Sequence, residues 1–295
     1  MAKTDGAGAE GPAFHVVALD PPPTPLVFAS PHSGRHYPRE MLEAAAVDPD
    51  ALRQSEDAFV DAMIAPTSDV GASVIVARYG RAWMDLNREP WELDPAMFED
   101  DLPEFARGRS ARVAAGLGAI ARLAGEGREI YARKLTFAEA RARVEGTHAP
   151  YHDALGRLLA RARAAHGMAV LIDWHSMPEA AARTAVTARH GKGCDMVLGD
   201  RFGAACTRKL TDLVERELEG MGYHVARNAP YAGGYTTEHY GRPASRTHAL
   251  QIEISRALYL NEKTLEPTEG LTTLTADIGK LTGVLAKSWP RLKPV

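Results

Sequence analysis

The stretch MAVLIDWHSMP, Met168 to Pro178, decides the fold. Met168 to Ile172 is short and continuously apolar. Such a run, without alternation, reads as a strand buried on both faces, as strands of parallel sheets are. Asp173, Trp174, His175 and Ser176 follow at once, so the strand delivers polar groups at its carboxyl end. In front of it, Tyr151 to His166 reads as a helix ended by Gly167.

Working outward, the same grammar recurs. Leu26 to Ala29 is a buried strand ended by Ser30-Pro31, Ser73 to Ala77 is the next, and Ala249 to Ile254 is the last. Helices are expected at Pro49 to Ala65, with Asp48 as cap and Pro49 in the first turn, at Phe202 to Met221 and at Leu271 to Trp289. Residues 104–167 are expected to be mostly helical, broken at Gly108, Gly116, Gly118, Gly125 and Gly127 and interrupted by His148-Ala149-Pro150-Tyr151-His152. Trp83 to Pro95, residues 228–242 and Asn261 to Gly270 read as loops. Strands separated by helices specify an α/β sheet with helices on both faces. The expected organisation is a disordered tail over residues 1–13 and one domain over residues 14–295.

Composition excludes several classes. Of 295 residues, 45% are hydrophobic and 25% charged, with a formal net charge of -3, so neither nucleic acid nor a membrane surface is an expected partner. The two cysteines, Cys194 and Cys206, lack metal-knuckle spacing and read as reduced thiols. The first residues lack the apolar core of a signal peptide, and no apolar run reaches membrane-spanning length. A cytoplasmic location is the expectation. GDRFGAAC, Gly199 to Cys206, lacks both the P-loop lysine and the dinucleotide-binding glycine spacing.

Four strands bring polar residues to their carboxyl ends, where open α/β sheets bind ligands. The first brings Ser30, His32, Ser33 and Arg35. The second leads through Arg78 and Arg81 to Asp85, Asn87 and Arg88. The third brings Asp173 and His175, and the last carries Glu253 between Ile252 and Ile254. His175 beside Asp173 suits a metal ligand backed by a carboxylate; a buried histidine satisfied by Asp173 is the plainer alternative. His32 reads equally as a turn residue capping backbone groups. Glu253, alone on the opposite face of an apolar strand, must be paired, metal-bound or neutral. Beside a metal-activated water it is a general base; a pair with Arg256 or Arg246 is the alternative.

Two histidines and one carboxylate make a common hydrolytic zinc shell. The Pro49 helix offers Glu56 and Asp57 for the carboxylate, and helical periodicity turns Glu56 inward with Asp57 at the edge of the apolar arc. Arg81, Arg88 and Arg35 or Arg256 near such a site imply an anionic substrate, since a guanidinium holds a carboxylate bidentately. Taken singly, each serves equally as a surface ion pair. The Ala229 to Gly241 loop, with Gly233-Gly234 and Tyr235 as a candidate substrate contact, is either a mobile lid or a rigid turn.

Six stretches together carry a resemblance: SPHSGRHYP (residues 30–38), SEDAFVD (55–61), DLNREP (85–90), DWHSMP (173–178), YAGGYTTEHYG (231–241) and LQIEISRALYLNE (250–262). From about His15 to Glu262 the chain resembles the N-formylglutamate amidohydrolase family. The resemblance implies a three-layer α/β/α sandwich with a mixed sheet, zinc-carboxypeptidase-like (phosphorylase/hydrolase-like). It implies zinc, or another divalent transition metal, held by His32, Asp57 and His175, with Glu56 the rival of Asp57. It implies Glu253 as general base and Arg88 as clamp for the substrate carboxylate, with Arg81 or Arg256 assisting. The reaction implied is hydrolysis of the formyl amide of N-formyl-L-glutamate, late in histidine degradation. Ser55 to Phe59 departs from the histidine-pathway pattern, which leaves the acyl group and amino acid open. The alternatives are a zinc amidohydrolase or carboxypeptidase for another N-acyl amino acid or small peptide, and a non-catalytic dicarboxylate-binding protein.

Overall fold

The computed structural model describes residues 11–124, 127–187 and 191–292. Most of the expected tail, residues 1–10, lies outside the described residues, as does Gly125, one of the expected helix breaks. Ala13 is buried, and its carbonyl accepts from the Arg78 amide at 3.0 Å.

Seven strands form one sheet: β1 (Phe14–Val17), β2 (Leu26–Ser30), β3 (Ser73–Ala77), β4 (Ala169–Met177), β5 (Met196–Gly199), β6 (Val225–Arg227) and β7 (Thr247–Ser255). Their spatial order is β1-β3-β2-β4-β7-β5-β6. The β3-β2-β4-β7 centre is parallel, while β1 and β5 run antiparallel to β3 and β7, so the sheet is mixed. One face packs Val27, Ala29, Leu171 and Ala249 against the Ala149–His166 helix through Tyr151, Leu155, Leu158 and Leu159. The other packs Phe28, Ile172, Trp174, Leu250, Ile252 and Ile254 against the Arg208–Gly220 and Gly270–Leu292 helices. The result is an α/β sandwich with the parallel strands buried on both faces, as their continuous apolar runs require.

The structure changes several expectations. The Asp173–Ser176 segment lies inside β4, and β7 runs from Thr247 to Ser255, so the site residues sit on paired strands and not beyond them. Strands β1, β5 and β6 have no counterpart in the sequence reading; each is only three or four residues long. The expected Pro49–Ala65 helix is two helices, Pro49–Arg53 and Val60–Ile64, with Phe59 left-handed at φ 64° between them. The carbonyls released there are taken by a side chain from across the sheet: Arg256 donates to Gln54 O at 3.2 Å and Glu56 O at 2.7 Å. The Asp57 amide donates to His32 O at 2.9 Å.

In place of the expected helical region, the described residues of 104–135 include the short helices Glu104–Ala106 and Ala111–Ala114. Gly116 is left-handed at φ 77°, a conformation that ends a helix rather than breaks it. Beyond it the order reverses: His148–His152 does not interrupt the helix. Phe137–Arg143 passes through one π turn, Val144–His148, into Ala149–His166. Pro150 sits where the wide turn already lacks a regular helical bond, so its missing N–H costs nothing there. The helix expected from Phe202 begins at Arg208, because Arg201, Phe202 and Gly203 all have positive φ.

Candidate metal centre and substrate cavity

On strands β4 and β7 one face changes character along its length. Leu171 and Ala249 are followed two residues on by Asp173 and Gln251, and then by His175 and Glu253. Each pair is in register, so His175 and Glu253 stand side by side on the same face. Strand β2 lies on the other side of β4, with Ala29 in register with Asp173, and the chain beyond it brings His32 over the same point. The break at Gln54–Phe59 brings Asp57.

Three ligand atoms converge there. His175 Nδ1 lies 3.1 Å from His32 Nδ1 and 3.1 Å from Asp57 Oδ2, and His32 Nδ1 lies 3.4 Å from Asp57 Oδ2. Zinc bonds of about 2.0–2.1 Å at tetrahedral angles hold donor atoms about 3.3–3.4 Å apart, so this triangle has the size of one zinc face. The rings are backed from behind. His32 Nε2 is 2.7 Å from Asp85 Oδ1, and His175 Nε2 is 3.0 Å from Asp173 Oδ2. Asp173 is fully buried with its carboxylate facing His175. An ionised carboxylate only accepts, so His32 donates from Nε2 to Asp85, while His175 Nε2 faces both Asp173 and the Asn87 Nδ2 amide, the latter at 3.2 Å. Both Nδ1 atoms face Asp57, where a proton joins one ring to the carboxylate and a single cation would join all three groups at once.

The electrostatics agree. Burial pushes the Asp57 carboxyl up, but hydrogen bonds from His175 and His32 outweigh it and hold the group well below the usual range. Burial works against Asp85 too, and Arg81, His32 and Arg88 overcome it. Burial lowers His175, yet Asp173 and Asp57 hold it well above its ordinary value, so a cation at Nδ1 competes with a proton. Glu253 differs: burial raises it, His175 draws it back, Asp57 raises it again, and the net shift is upward. Its Oε1 accepts from Gln251 Nε2 at 2.8 Å. No ion pair joins it to Arg256 or Arg246 among the described residues.

Asp57 and Glu56 face opposite ways. Glu56 Oε1 accepts from Tyr37 Oη at 2.8 Å and lies 3.5 Å from Arg53 Nε, outside the metal cluster. Periodicity turned Glu56 inward by assuming a continuous helix, and the break at Phe59 removes that premise.

The cluster opens into a cavity of about 680 Å³, within the range of small-molecule sites. Arg81, Arg88 and Arg256 all line it. Arg81 Nε donates to Asp85 Oδ2 at 2.9 Å, and Arg88 is buried, donating to Leu117 O at 3.2 Å and Asn87 O at 3.0 Å. Arg256 is spent on the protein: besides Gln54 and Glu56 it donates to Ser176 Oγ and Asp57 Oδ1, each at 3.2 Å. Arg35 pairs with Asp61 and does not line the cavity. Tyr235 is not a lining residue either; it packs on His148, His152 and His239, and Tyr231 of the same loop takes the cavity wall. That loop is tied down. Gly234 N donates to Gln251 Oε1 at 2.9 Å and Thr236 N to Asn87 Oδ1 at 2.8 Å, and a Cβ on Gly234 would lie 2.4 Å from Asn87 Nδ2. Asn87 and Gln251 are site residues to which the sequence reading gave no role. Their signal was position alone, two residues from Asp85 and from Glu253.

A family model described as N-formylglutamate amidohydrolase matches residues 24–260. An N-formylglutamate deformylase of Pseudomonas putida is 31% identical over 242 residues, covering 81% of this chain and 82% of that protein. The crystal structure of N-formylglutamate amidohydrolase from Ralstonia eutropha JMP134 superposes with a TM-score of 0.87 at 38% identity, over 95% of this chain and 99% of that one. The gene product Atu2144 from Agrobacterium tumefaciens shares the fold at a TM-score of 0.67 and 20% identity, over 96% and 98% of the two chains. With its matching residues spanning the strands and loops that build the site, the chain belongs to the N-formylglutamate amidohydrolase family.

Proposed function

We propose that the enzyme hydrolyses the formyl amide of N-formyl-L-glutamate to formate and glutamate, as the names of its relatives state for them. The observation that carries this reading is the triangle of His32, Asp57 and His175 with Glu253 in register beside it. A zinc-class cation at this triangle supplies Lewis acidity to the amide carbonyl and acidifies water. Glu253, its carboxyl raised by burial, takes a proton from the attacking water and returns it to the leaving nitrogen as the C–N bond breaks. Arg88 holds the α-carboxylate and Arg81 the side-chain carboxylate. Arg256, engaged by Asp57 and Ser176, keeps Asp57 in place rather than reaching substrate.

The site's plan, two carboxylate-backed histidines and an acidic ligand at parallel strand ends with arginines alongside, supports kinship with zinc carboxypeptidases. A place in histidine degradation follows from the same reading. One observation favours a second substrate class. N-formylglutamate has only about twelve non-hydrogen atoms, small for a cavity of this size. Leu52, Leu117, Ala121, Leu123, Ala124 and Ile130 give that cavity an apolar wall, which suits a bulkier N-acyl amino acid or a small peptide.

The test is formate release from N-formyl-L-glutamate by zinc-loaded protein, with a chelator-treated control. Chelator-sensitive release is expected. Retained zinc without formate release, but with cleavage of larger N-acyl amino acids, replaces the first substrate with the second. Release insensitive to complete metal removal overturns the metal-dependent reading.

A further inference from the structure

We propose that His148 and His152 are positioning residues for the turn that presents Asp85, Asn87 and Arg88 to substrate, a role that rests on Arg88 being the carboxylate clamp. Neither histidine lines the cavity. Each instead holds the backbone of that turn from behind. His148 Nε2 is 3.0 Å from Arg88 O, and His152 Nε2 is 2.8 Å from Leu86 O. A carbonyl only accepts, so each ring donates from Nε2 and its orientation is set. The two carbonyls flank Asn87. Fixing both leaves the Leu86–Arg88 segment no cheap rotation, because turning either peptide leaves a buried acceptor unpaired.

The helix is shaped for this grip. In a π turn, residues five apart come to one face, so Val144–His148 aligns Arg143 with His148, and His152 follows one α turn later. Arg143 Nη1 donates to Trp83 O at 3.2 Å with its guanidinium 3.9 Å above the Trp83 ring. Trp83 Nε1 donates to Thr147 Oγ1 at 3.1 Å. Four hydrogen bonds between one helix and this segment thus span Trp83 to Arg88, the stretch that carries the partner of His32 and the clamp. The two imidazoles lie 4.3 Å apart by ring centroids, with His148 only 3% exposed. If filling space were all they did, apolar side chains would do so without the desolvation that buried imidazoles cost. Tyr240 Oη, 3.0 Å from His152 Nδ1, completes the support.

The test is a double-mutant cycle on N-formyl-L-glutamate hydrolysis by zinc-loaded protein, with zinc content measured for each variant. His148→Leu is expected to raise KM roughly tenfold, with kcat changed much less and zinc retained. His148→Gln, whose amide N–H reaches the place of Nε2, is expected to recover most of the loss. In an Arg88→Ala background His148→Leu adds nothing further, because the effect runs through Arg88. Where His148→Leu yields no folded protein, His148→Asn, too short to reach the Arg88 carbonyl, takes its place in the cycle. Independent, multiplying losses from the two sites overturn the proposal, and so does a folded His148→Leu enzyme with unchanged KM. An Arg88→Ala enzyme with unchanged KM overturns the clamp reading itself, a failure visible in the single variant.

Discussion

The two faces of β4 and β7 carry opposite chemistry at equal burial. On one, Ile172, Trp174, Leu250, Ile252 and Ile254 are wholly buried, and Trp174 packs its ring 5.8 Å from that of Phe28. On the other, Asp173, His175, Gln251 and Glu253 are between 0% and 7% exposed. The apolar face gains free energy from each group it removes from water. The polar face loses it, and persists because its members are paired with one another and with Asn87, and would be further satisfied by a cation at the triangle. Alternation along two strands therefore separates what holds the molecule together from what does its chemistry.

The largest effect expected on the polar face follows from Glu253. Glu253→Gln keeps the shape and the contact with Gln251 but cannot take a proton. Deformylation should fall roughly 10² to 10⁴-fold, with zinc content unchanged by metal analysis. Thermal unfolding should shift little or upward, since a buried charge is removed. Loss of zinc in this variant would make Glu253 a ligand and merge two roles that the geometry keeps apart.

The apolar face should answer in the other currency. Trp174→Ala removes the largest side chain there and is expected to cost about 3–5 kcal/mol of stability by denaturant titration. At a temperature where it stays folded, its activity should fall far less than that of Glu253→Gln. A loss of activity as large as that of Glu253→Gln in fully folded protein would mean the two faces are not separable.

How much of this was legible follows the same line. Leu26–Ala29, Ser73–Ala77, Met168–Ile172 and Ala249–Ile254 announced themselves because parallel strands buried on both faces must be continuously apolar. His32, His175 and Glu253 could be picked out because polar groups beside such runs need a reason. Strands β1, β5 and β6, two at the sheet's edges and one beside an edge, were not legible, since their three or four residues give no period. Residues 104–135 misled because an alanine- and arginine-rich composition favours helix locally, while Gly116 and contacts to other segments decide otherwise. The grip of His148 and His152 on Leu86 and Arg88 joins positions some sixty residues apart, and no local pattern records it.

The smallest expected effect tests the place where periodicity failed. Glu56 and Asp57 are adjacent, both acidic and both buried at 1% exposure. Only the broken helix tells them apart. It takes two carbonyls out of the helical ladder for Arg256 and lets Asp57 turn to the histidines, while Glu56 turns to Tyr37. Burial raises the Glu56 carboxyl despite Tyr37 and Arg53, so a neutral amide there removes little that the fold relies on. Glu56→Gln should therefore leave zinc affinity within about twofold and stability within about 1 kcal/mol, by metal-buffered titration and chemical unfolding. Asp57→Asn removes the charge facing both Nδ1 atoms and should weaken zinc binding by orders of magnitude in the same titration. The reverse ranking would restore the continuous helix, and with it the inward Glu56 that periodicity alone implies.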